Sequence, residues 1–125
     1  MISDVFQSYN ILFLLEGLKI TLEIGVGSII CSVIFGTVLG VSCHLKIPVL
    51  GQISTIYIDI IRNLPCLLLV LVVRFLTPLP PVWSGIAAMS IFTAATMAEV
   101  VRGGLNAIPK GQYEAAHSQG MNHYQ

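Results

Sequence analysis

From the N-terminus, the first long run of apolar positions covers residues 21–43 and is broken only by Glu23 close to its start. A helix over this stretch of 23 residues would be about 34 Å long, enough to cross the hydrocarbon core of a bilayer with some tilt. Ahead of it, residues 5–18 mix apolar positions with Gln7, Ser8, Asn10 and Glu16. Residues 1–20 therefore read as a lead-in that either lies along the membrane interface or extends the helix outward. A connector at 44–52, holding Lys46, Pro48 and Gly51, leads to a second run at 53–76. That run contains Asp59 and Arg62 and then Pro65, which removes a backbone donor and predicts a bend. The turn Thr77-Pro78-Leu79-Pro80-Pro81 precedes a third run at 82–101, where Trp83 suits a headgroup-level anchor. The pattern predicts an all-α polytopic membrane helix bundle of three transmembrane helices, followed by a short polar helix at 108–120.

Composition supports that reading. Six basic and six acidic residues in 125, with 55% hydrophobic residues and a mean hydropathy of +0.86, cannot supply the charged shell of a small soluble domain. The net charge of zero and the lack of a basic cluster exclude a nucleic-acid binder. Cys31, Cys43 and Cys66 sit in or beside apolar runs, an odd count without framework spacing, and read as small buried hydrophobes. No cleaved signal peptide is expected: Met1 to Tyr9 holds no Lys or Arg, and no A-x-A site follows the first run.

Small residues recur every fourth position in the first run, at Ser28, Ser32, Gly36 and Gly40, and again in the third at Ser90, Ala94 and Ala98. Such stripes let helix backbones approach closely, either within one bundle or between subunits. Two acid-x-x-arginine pairs, Asp59 with Arg62 and Glu99 with Arg102, place opposite charges on one helical face each. Counted along straight spans from one end, Asp59 and Arg62 lie about 9 and 13 Å deep, Glu99 and Arg102 about 7 and 3 Å. Two arrangements follow: a cross-helix network in which Arg62 reaches Glu99 and Asp59 reaches Arg102, or two pairs that each neutralise themselves. With the N-terminus outside, the inner side receives Lys46, Arg102 and Lys110, against Lys19 and Arg74 near the outer boundary, a slight positive-inside preference.

After the third run, Pro109 suits the first turn of a helix and Gly120 suits its stop. Between them Glu114 offers one charged contact, and Ala115 with Ala116 a flat face that a cleft can grip. The segment from Ala98-Glu99-Val100-Val101-Arg102-Gly103-Gly104 through Ile108-Pro109-Lys110-Gly111-Gln112-Tyr113 to Glu114-Ala115-Ala116-His117-Ser118-Gln119-Gly120 resembles the ATPase-coupling loop of ATP-binding-cassette import permeases, and most of all their polar amino acid uptake branch. Asp59-Ile60-Ile61-Arg62-Asn63-Leu64-Pro65 is similar to another signature of that family, an acidic residue followed by Arg, Gly, Thr and Pro. Arg62 and Pro65 match it; Asn63 and Leu64 depart from the Gly-Thr. Phe13 to Leu18 with Thr21-Leu22 also resembles the family's N-terminal region.

The resemblance implies a permease subunit in the cell membrane of a bacterium, with the 108–120 helix cytoplasmic. Pro109, Gly111, Glu114, Ala115, Ala116 and Gly120 would then contact an ATPase subunit. The further partners implied are a second permease subunit, an extracytoplasmic solute-binding protein, a polar amino acid as substrate, and membrane lipid. In the family the pattern runs on to an I-x-L-P element and further spans, giving five, so the chain is expected to be the N-terminal part of a permease, ending within the coupling loop. The alternative expectation is an inactive membrane fragment that at most binds the ATPase or an intact permease.

The chain itself is not expected to be an enzyme or to need a cofactor. No G-x-x-x-x-G-K-[ST] is present for ATP, and His44, His117 and His123 form no metal-binding spacing. No G-x-S-x-G and no glycosidase-like carboxylate pair occurs. A small channel or membrane enzyme has little beyond the intramembrane charges to support it.

Overall fold

The computed structural model describes residues 8–122, so the first seven residues of the lead-in and His123 lie outside it. Among the described residues five helices follow one another: α1 (Ser8–His44), α2 (Leu50–Asn63), α3 (Cys66–Leu76), α4 (Pro81–Asn106) and α5 (Lys110–Ser118). Among the described residues there is no strand. The all-α bundle expected from the apolar pattern is what forms. Of the two courses open to the lead-in, its described part takes the second and prolongs α1 as one uninterrupted helix of 37 residues. Two helices, α1 and α4, are long and apolar enough to cross a membrane alone, and α2 with α3 makes a third span if the broken pair counts as one.

That pair departs most from expectation. A single bent rod over 53–76 was expected; instead α2 and α3 meet at 105°. The residue before a proline is pushed out of the helical region, and Leu64 lies at φ −88°, ψ 139°. Pro65 is also extended, at φ −62°, ψ 130°, and starts α3 afresh. The Asn63 side-chain amide donates to the Asp59 carbonyl at 2.6 Å, which helps to close the end of α2. Both arms of the break then bury residues in one cluster: Ile61 from α2 and Leu69 from α3 meet Ala95 of α4, flanked by Tyr57, Leu64, Ile91 and Phe92.

The α1–α2 connector is as tight. Leu50 N donates to Pro48 O at 2.8 Å, closing a three-residue turn around Val49, which sits at φ 69°, ψ −61°. That geometry is rare and strained for a β-branched residue.

Large apolar side chains such as Phe13, Ile29, Phe35 and Leu67 point outward, while the buried set is mostly Ala and Ser. This inverts a water-soluble core. In lipid, apolar burial gives helices no drive to associate, so close packing of small residues must do it. The main contact is α1 against α4, and both small-residue stripes lie in it. Ser28, Ser32, Gly36 and Gly40 are all buried. A Cβ on Gly36 would lie 2.8 Å from Ala94 O and 2.6 Å from Met97 Cβ. One on Gly40 would lie 2.6 Å from Ala98 O. The stripes therefore pack within the chain. Their serine hydroxyls are satisfied on their own helices, Ser28 donating to Ile24 O at 2.6 Å and Ser32 to Ile29 O at 3.0 Å.

Gly40→Ala should therefore lower stability by about 1–3 kcal/mol, the range for overpacking a close contact. Reversible unfolding in mixed detergent micelles measures it, with Gly25→Ala as control because nothing lies within 4 Å of its Cβ position. Equal stability of the two variants would show that the α1–α4 approach is not this close.

Candidate functional site

The candidate residues gather at the end of the bundle where α1 and α4 finish and α5 begins. Glu99 is the centre of charge there. Its Oε1 accepts from Arg102 Nη2 at 2.7 Å, one turn along α4, and its Oε2 lies 3.6 Å from Arg62 Nη1 on α2. One carboxylate thus bridges two guanidiniums and ties α2 to α4. The expected Arg62–Glu99 contact is present; the expected Asp59–Arg102 contact is not. Arg102 turns to Glu99 on its own helix, and Asp59 joins no ion pair among the described residues. Asp59 and Arg62 both precede the break, on one continuous α2; what the depth argument left out is that Arg102 has an i, i+3 partner on its own helix, which needs no second helix to be ordered.

The helix expected at 108–120 is α5. Pro109 stands one position earlier than expected, as the residue before the first helical one, at φ −62°, ψ 142°. At the other end Gly120 adopts φ +75°. Met121 N donates to Ala116 O at 3.0 Å and Gly120 N to His117 O at 3.0 Å, the paired bonds that close a helix on a left-handed glycine. Glu114 and Ala115 are exposed, and so is Gly111. Ala116 is half-buried toward the bundle. The two alanines therefore do not form one outward face: adjacent helical positions differ by about 100° in direction.

Between α5 and the ends of α1 and α4 lies an open cavity of about 560 Å³, lined among others by His44, Leu105, Tyr113, Ala116 and His117. His44 Nδ1 lies 2.8 Å from Asn106 Oδ1. This contact, the Ser42–Ser54 hydroxyl pair at 3.0 Å and the Tyr57 hydroxyl donating to Ile91 O at 2.6 Å were not singled out from the sequence. The available signal was the clustering of polar side chains at the ends of apolar runs, where each needs a partner. Among the described residues no group of three or more His, Cys, Asp or Glu could hold a metal ion.

With this arrangement in view, the model of the family described as "binding-protein-dependent transport system inner membrane component" matches residues 32–125. The chain belongs to that family. Among its relatives is the "Probable glutamine ABC transporter permease protein GlnP" of Bacillus subtilis (strain 168), 37% identical over 125 residues that cover 96% of this chain and 57% of the relative. The "Arginine transport system permease protein ArtQ" of the same organism is 37% identical over 115 residues, 87% of this chain and 52% of the relative. A solved structure, "Crystal structure of an amino acid ABC transporter with histidines", shares 29% identity at a TM-score of 0.59, covering 88% of this chain and 58% of that one. The chain spans about half the length of the curated relatives it matches. The family match contains α2 to α5 whole and the C-terminal part of α1, from residue 32 to His44.

Removing the bridging carboxylate by Glu99→Gln leaves two guanidiniums facing each other. It should cost about 1 kcal/mol, a modest value because both ion pairs are partly exposed. The same micelle unfolding assay measures this, and Arg74→Gln, which breaks no ion pair among the described residues, should leave stability unchanged. A Glu99→Gln protein as stable as the unaltered one would remove the bridge from the account.

Proposed function

We propose that the chain belongs to the permease subunit of a bacterial ATP-binding-cassette importer of polar amino acids, and that α5 is where a cytoplasmic ATPase subunit takes hold. One observation carries the reading: a nine-residue polar helix follows directly on a membrane-length helix, exposes Glu114 and Ala115, and is closed by a left-handed Gly120. A helix held out in this way at the end of a membrane bundle offers a partner a surface that is already ordered, which lowers the cost of docking. The glutamine and arginine in the relatives' names support amino acids as the substrate class. The remaining partners are a second permease subunit and an extracytoplasmic solute-binding protein, with ATP hydrolysis left to the ATPase. Lys46, Arg102 and Lys110 cluster at the α5 end, which supports a cytoplasmic α5 and an N-terminus outside. In this reading the Arg62–Glu99–Arg102 bridge holds α2 against α4 near the mouth of the transport path.

Co-purification in detergent with an amino-acid importer ATPase tests the docking. The unaltered chain should retain the ATPase, and Glu114→Lys should lower recovery about tenfold, the effect of losing roughly 1.4 kcal/mol at an interface. Gly120→Leu should do the same, because a left-handed backbone strains any branched residue. Gly17→Ala, on α1 with nothing within 4 Å of its Cβ position, is the control and should retain full recovery. ATPase recovery that ignores Glu114→Lys, or that fails with the unaltered chain, overturns the proposal.

A further inference from the structure

The fourfold spacing of the two small-residue stripes does not stop where the small residues do. On α1 the series Ser28, Ser32, Gly36, Gly40 continues one turn further to His44, the last residue of that helix. On α4 the series Ser90, Ala94, Ala98 continues through Arg102 to Asn106, the last residue of that one. The two terminal members meet, His44 Nδ1 donating to Asn106 Oδ1 at 2.8 Å. The α1–α4 seam, close-packed at Gly36 and Gly40, thus ends in a polar contact.

That contact stands at the root of α5. Only residues 107–109 separate Asn106 from Lys110, and they are held by Ala107 N to Gly103 O at 3.0 Å and Gln112 N to Pro109 O at 3.0 Å. Beyond them α5 has no fully buried residue. The cavity of about 560 Å³ beneath it leaves room for a change of angle. The geometry at its base therefore bears directly on how α5 stands. The neighbours of His44 face elsewhere: Ser42 pairs with Ser54 at 3.0 Å, and Cys43 Sγ lies 3.6 Å from Thr55 Oγ1, both on α2. The end of α1 is gripped by α2 on one side and by the root of α5 on the other.

We infer that His44 is a positioning residue: through Asn106 it sets the angle of α5 against the bundle and makes α1 the element that answers when α5 is displaced. The role in transport rests on the docking reading above; the angle of α5 does not, and it can be measured without any ATPase.

The test uses the full chain in lipid nanodiscs, with Cys31, Cys43 and Cys66 replaced by serine and spin labels on Leu22→Cys in α1 and Ser118→Cys in α5. Double electron–electron resonance then reports the distribution of α1–α5 distances. The parent should give one dominant distance. His44→Ala and Asn106→Ala should each lower the ratio of that population to all others about fivefold, the worth of one net hydrogen bond. His44→Gln, which keeps a donor, and the exchanged pair His44→Asn with Asn106→His should both restore it. Ser42→Ala, which loosens α1 from α2 only, should leave the distribution unchanged. An unaltered distribution in His44→Ala, no recovery in His44→Gln, or equal broadening in Ser42→Ala overturns the inference, whatever the outcome with the ATPase.

Discussion

The backbone-to-backbone approach of α1 and α4 is the constraint on which the other contacts hang. It exists because Gly36 and Gly40 have no Cβ to meet Ala94 O and Ala98 O, and because Ala94 and Ala98 bring almost nothing to the interface but their backbones. With lipid as the solvent, dispersion between closely spaced atoms replaces the apolar drive that builds a soluble core. Once α1 and α4 are fixed together, α2 and α3 can only lie across their flank. The 105° break is the shape that lets Ile61 and Leu69 reach the same patch of α4.

Among the described residues the ion pair that joins two helices lies at the α5 end. Glu99 gathers Arg62 and Arg102, so the polar contents of the α5 end are concentrated on α4, the helix from which α5 springs. A carboxylate shared by two guanidiniums is sturdier than either pair alone, since loss of one partner leaves the other in place. It also means that α2, through Arg62, and α1, through His44, both report to the last two turns of α4.

The spans were legible because uncharged apolar runs of membrane length leave few alternatives, and the ends of α5 because Pro109 and Gly120 have backbone preferences that act locally. Pro65 announced a bend but not its size, which comes from burial of residues on both sides of it against α4. The stripes showed that helices would approach closely without showing which, because Ser28 to Gly40 would look the same facing another subunit. The Asp59–Arg102 expectation failed because Arg102 has a partner one turn back on its own helix, Glu99. His44 and Asn106 stand 62 positions apart; each continues the register of a stripe, but only the pairing of α1 with α4 brings them together.

The buried and half-buried hydroxyls of α1 and α4 bear on how such a bundle comes to exist. Ser28, Ser32, Ser90 and Thr93 each donate to a carbonyl three or four residues earlier on their own helix. None of these groups waits for a neighbour in order to be satisfied. The two helices that carry them, α1 and α4, are each long and apolar enough to cross a membrane alone, so these two can enter the acyl chains separately and find each other afterwards by lateral diffusion. Biogenesis is thereby split into entry and assembly, with the glycines governing only the second.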